Sequence, residues 1–120
     1  MSTMNNEDEE SAAFTDGVSA LRQALTAENM GYATDRCTEE YARALDAAQR
    51  TADAAGMGGS DRRAYLTHMD THTRARVLAE ATARRDEEVR FANQQFAEWR
   101  RATAARARSI PQSLYQFNEG

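Results

Sequence analysis

A chain of 120 residues with a formal net charge of -4 is long enough for one domain and too acidic to bind polyanions in general. All 15 basic residues are arginine, as a high-GC genome produces, and the lack of lysine excludes Schiff-base chemistry and a Walker-type phosphate loop. Cys37 stands alone, so no internal disulfide forms.

Leu, Ile, Val and Phe together supply about 12% of the residues, below the roughly 20% at which disorder becomes a live possibility. Alanine supplies about a fifth, which favours helices and their close approach. Each alanine buries little area, so at about 25 cal/mol per Å² the core is thin. Chains of this size are already marginal, and self-association or a partner is expected to supply part of the stability.

Met1 to Glu10 is acidic and polar and reads as a disordered tail. It lacks the basic start and apolar segment of a secretory signal, and no apolar run reaches the length of a membrane span. The expected location is the cytoplasm or a virion, the alternative being secretion without a cleavable signal.

A first helix is expected from Ser11, as N-cap, to about Met30. Phe14, Val18, Leu21 and Leu25 line one face, and Gly31 is placed to end the helix as C′. Gly17 inside it costs about 1 kcal/mol relative to Ala. Cys37, Tyr41, Leu45, Ala48 and Ala52 form a second stripe about half a turn out of phase with the first. The reading is a break near Gly31–Thr34 and a second helix to about Ala55. Thr34 is its N-cap, with Asp35, Glu39 and Glu40 favourable in the early turns.

Gly56-Met57-Gly58-Gly59-Ser60 is the strongest punctuation in the chain. Ser60 or Asp61 can cap a short helix, 61–70, that bears Tyr65, Leu66 and Met69 on one face. From Leu78 the apolar face is nearly opposite, which predicts a second break near Asp70–Thr73; a continuous helix is the alternative. The long C-terminal helix then carries Leu78, Ala81, Val89, Ala92, Phe96, Trp99 and Thr103 at steps of three and four, or sums of them. It runs to about Arg108, and Ile110-Pro111 stops it. The fold class is all-α: an antiparallel helical hairpin or bundle about the Gly56–Ser60 loop, one domain over 11–110, with a tail at 111–120.

Four features are candidates for function. His68 and His72, four apart, project from one helix face and can share a metal ion, but Met69 stands where the zinc-protease pattern has Glu. The Gly56–Asp61 loop precedes a helix N-terminus, where anions bind, yet it has no lysine and no preceding strand. Arg100, Arg101, Arg106 and Arg108 crowd the end of the last helix. They compensate its dipole or meet an acidic partner, either nucleic acid or the Glu7–Glu10 segment of another subunit. Leu78, Val89, Phe96 and Trp99, joined by Leu114, Tyr115 and Phe117 of the tail, form the expected protein interface.

Tyr115 and Glu119 make a Tyr-x-x-x-Glu sequence beyond the last helix. With the helical-hairpin pattern, the chain length and the Gly-containing turn, it is similar in outline to the WXG100-type substrates of type VII secretion. The resemblance covers architecture; Met57-Gly58-Gly59 stands where that family has Trp-x-Gly, and Trp99 lies in a helix. It implies export, with Tyr115 and Glu119 as the signal. The principal expectation is a non-enzymatic helical protein, without cofactor, that works by self-association or partner packing. A subunit of a larger particle such as a phage virion fits it. The alternatives are the secreted WXG100-like protein and a metal protein using His68 and His72.

Overall fold

The computed structural model describes residues 6–109. They comprise α1 (Asn6–Ala27), a single 3-10 turn (Gly31–Ala33), α2 (Thr34–Ala54) and α3 (Gly59–Ser109). Among the described residues there is no strand, and the all-α class holds. The chain divides into two units, Met1–Ala83 and Arg84–Gly120. The expected tail contacts of Leu114, Tyr115 and Phe117, and the Tyr115–Glu119 motif, lie outside the described residues.

α1 begins five residues before the expected Ser11, so Glu7–Glu10 of the expected tail are helical, while residues 1–5 of it lie outside the described residues. Glu7, Asp8 and Glu9 occupy the first turn, where carboxylates oppose the positive end of the helix dipole. Glu10 is also held from outside. Arg62 of α3 donates through Nε to its Oε1 at 2.6 Å and through a terminal nitrogen to Asp53 of α2 at 2.7 Å. The Arg62 side chain is only 13% exposed, so one guanidinium ties the start of α1, the end of α2 and the start of α3 together. Arg63 adds a looser pair with Glu9 at 3.8 Å.

α1 ends at Ala27, and Asn29, not Gly31, takes the left-handed C′ position at φ 58°. The Met30 amide donates to the Leu25 carbonyl at 2.7 Å and the Asn29 amide to that of Thr26 at 3.0 Å, which is a Schellman ending. Its apolar clasp, Met30 against Leu25, is fully buried. Asn tolerates positive φ better than other non-glycine residues, which is why the chain can turn two residues early. Thr34 is therefore the first residue of α2 and not its N-cap; its hydroxyl donates to the Gly31 carbonyl at 2.8 Å. α2 ends the same way one level on, with Gly56 at φ 68° and amide bonds from Gly56 to Asp53 and from Met57 to Ala52. Ser60 and Asp61 fall inside the first turn of α3 and do not precede it.

The predicted break at Asp70–Thr73 is absent, and α3 runs through it. The reason is the composition of its packed face. Thr73, Val77 and Ala81 are buried, and Arg62, Leu66 and Asp70 are half-buried at the same three- and four-residue steps. Half of that face is polar, so apolar residues alone suggest a change of face where the helix makes none.

The core of the first unit gathers Leu21, Leu25, Met30, Ala33, Cys37, Tyr41, Val77 and Ala81, with Phe14, Val18, Leu45 and Leu78 packed around it. Ala48 and Ala52 of α2 are also buried. The stripes of α1 and α2 are the ones their spacing predicts. The second unit, over its described residues, is the C-terminal part of α3, and none of residues 84–109 is buried.

Candidate interaction surface

The apolar stripe of the long helix falls into two environments. Leu78 and Ala81, expected at an interface or beside it, serve the core of the first unit. Val89, Phe96 and Trp99 do not: they are 52%, 58% and 57% exposed. Phe91, which the stripe did not include, is 60% exposed. Phe96 and Trp99, three residues apart, stack with centroids 5.8 Å apart and planes 24° from parallel. The Arg100 guanidinium lies 5.9 Å from the Phe96 ring centre, within cation–π range. Three adjacent side chains thus make one preorganised apolar and cationic patch. Isolated exposed apolar residues are ordinary, but contiguous ones mark binding surfaces.

Arg100, Arg101, Arg106 and Arg108 are all exposed. Arg106 and Arg108 sit in the last turn of α3, where the helix dipole favours cations. The acidic segment suggested as their partner in another subunit is engaged within the chain, Glu9 by Arg63 and Glu10 by Arg62.

His68 and His72 lie on an exposed face of α3 with their rings stacked, centroids 6.2 Å apart. Among the described residues no group of three His, Cys, Asp or Glu side chains is placed to hold a metal ion. Two imidazoles alone leave half of a tetrahedral zinc shell to water. In the Gly56–Asp61 loop, Gly59 has φ 56°, and the Arg62 amide at its end is turned back on the Gly58 carbonyl at 3.3 Å.

Spacing of apolar residues missed a polar cluster inside the first unit. The Tyr41 hydroxyl donates to Asp70, and Asp70 also accepts from Arg74 in a two-pronged pair, closest at 3.0 Å. Tyr41 is fully buried and stacks on Phe14, centroids 5.7 Å apart. Burial, then the hydrogen bond and negative charge of Asp70, push the Tyr41 phenol far above its ordinary value. The hydrogen bonds to Asp70 hold the Arg74 guanidinium charged still more firmly. The Asp70/Arg74 spacing of four was the available signal. With its pKa raised in this way, the Tyr41 phenol keeps its proton and holds the contact as a hydrogen-bond donor to Asp70.

A shallow groove between α1 and α2 has Phe14 and Leu45 among its lining and carries Glu7, Glu10 and Asp46. Among the described residues no helix is long and apolar enough to cross a membrane. No family model matches the chain, and no significant match was found among curated proteins or solved structures.

Proposed function

We propose that this protein is a non-enzymatic helical interaction subunit that works by packing on other protein surfaces, its own copies among them. In this reading the first unit is an antiparallel arrangement of α1, α2 and the start of α3. The contact surface is the segment 84–109. One observation carries the proposal: Val89, Phe96 and Trp99 are more than half exposed on a segment where no described residue is buried. A Trp–Phe–Arg cluster is also the composition of an interface hot spot. A small structural or accessory subunit of a larger particle, such as a virion, is the setting that suits a helical chain with such a surface.

Sedimentation of the wild type beside Phe96→Ser and Trp99→Ser tests it. The wild type should associate as concentration rises, and both variants should remain smaller while keeping the wild-type helix content. Identical sedimentation of all three, with no larger species at any concentration, would overturn self-association.

A further inference from the structure

We infer that the occupant of this surface is the same segment of a second copy, lying antiparallel, with the two-fold axis at Gln94. The inference rests on the interaction reading above and specifies its partner and geometry. From Arg85 the positions Val89, Ala92, Phe96, Trp99, Thr103 and Arg106 follow steps of four and three without exception. That is the 3.5-residue period of a coiled-coil seam. Within the seam, small and large residues mirror one another. Val89 and Trp99 are symmetrical about Gln94, and so are Ala92 and Phe96. An antiparallel copy therefore sets Val89 against Trp99 and Ala92 against Phe96, each twice, so every layer pairs a small side chain with a large one.

The flanking charges mirror about nearly the same point. Asp86 and Arg100 are symmetrical about Asn93, on the flank of the seam that lies one residue from the core layers. Within one chain they are 14 residues apart, about 21 Å along the helix at 1.5 Å per residue, too far to pair. Across an antiparallel dimer they meet, and the symmetry makes two such pairs. Arg100 already lies over the Phe96 ring, at the margin where it faces the incoming Asp86. A parallel copy in register does worse on each point. It stacks Trp99 on Trp99, leaves Ala92 against Ala92, and brings Arg85 and Arg106 each against its own copy on the seam. It also sets Glu88 against Asn93 and Gln95 against Arg100, so no opposite charges meet on its flanks.

Phe91 lies off the seam and supplies a control. Phe91→Ala should leave the dimer constant within about twofold, whereas Phe96→Ala should abolish the dimer. Asp86→Arg and Arg100→Asp should each weaken dimerisation about tenfold, since each alters two symmetry-related pairs, and the double exchange should restore it. A short bis-maleimide locates the axis, with the buried Cys37 left in place. Asn93→Cys and Gln95→Cys should cross-link to their own copies and Val89→Cys should not, its two copies being about 15 Å apart along the axis. A dimer that cross-links through Val89→Cys, or that the double exchange does not restore, would overturn the antiparallel register and leave self-association standing. A monomer under all conditions would overturn both.

Discussion

The Tyr41 hydroxyl donates its hydrogen bond to the Asp70 carboxylate across the α2–α3 contact, directly over the backbone of Gly17 in α1. One bond therefore touches all three helices of the first unit. A Cβ on Gly17 would overlap the Tyr41 hydroxyl and stand 2.8 Å from an Asp70 carboxylate oxygen. The glycine that weakens α1 as a helix is what lets a tyrosine from α2 reach an aspartate on α3.

Gly17→Ala should accordingly destabilise the protein by about 1–3 kcal/mol, the usual range for overpacking. Helix propensity alone predicts a gain of about 1 kcal/mol. Tyr41→Phe removes a hydrogen bond to a charged acceptor, worth about 1.5–3 kcal/mol, but also the atom that a Cβ at Gly17 meets first. The double variant should be less destabilised than the sum of the two. Urea midpoints of the four proteins give the coupling. Additive effects, or a stabilised Gly17→Ala, would contradict the account.

The same bond predicts an alkaline limit. A phenol whose proton is held more tightly folded than unfolded contributes stability below its unfolded value and loses it as pH rises past that value. Tyr41 is shifted upward, so its contribution should be intact at pH 8 and fall once pH passes about 10. Melting curves from pH 8 to 11 should fall more steeply for the wild type than for Tyr41→Phe. Parallel declines would show that Tyr41 titrates alike in both states.

The histidine pair has a direct test. His68 and His72 are exposed and gain no third side-chain ligand among the described residues. Zinc should therefore shift the melting temperature of the wild type and of His72→Ala equally. A shift confined to the wild type would establish a metal site on α3.

The apolar faces of α1 and α2 were legible because Phe14 to Leu25 and Cys37 to Ala52 follow helical spacing and almost every member is apolar. The packed face of α3 was not, because Arg62, Asp70 and Thr73 occupy half of it. Their reasons for facing inward are distant in sequence: Glu10 for Arg62 and Tyr41 for Asp70. The end of α1 precedes Gly31 because Asn29 adopts the left-handed turn that a glycine usually supplies. For the candidate surface, the spacing put Val89, Phe96 and Trp99 on one stripe of the long helix. It did not separate them from Leu78 and Ala81, because periodicity reports which face a residue occupies and not what covers it. A consequence is that Phe96→Ala and Trp99→Ala, for which the stripe alone predicts loss of both folding and association, should spare the first unit and impair association only.

Trp99 provides the most direct measurement of whether this surface is a binding face, since it is the only tryptophan in the chain and lies in the middle of the patch. Its emission should be that of an exposed indole at high dilution and move to shorter wavelength, saturably, as protein concentration rises. Phe96→Ala should remove the shift. An emission maximum that stays at the exposed value at every concentration would contradict the account.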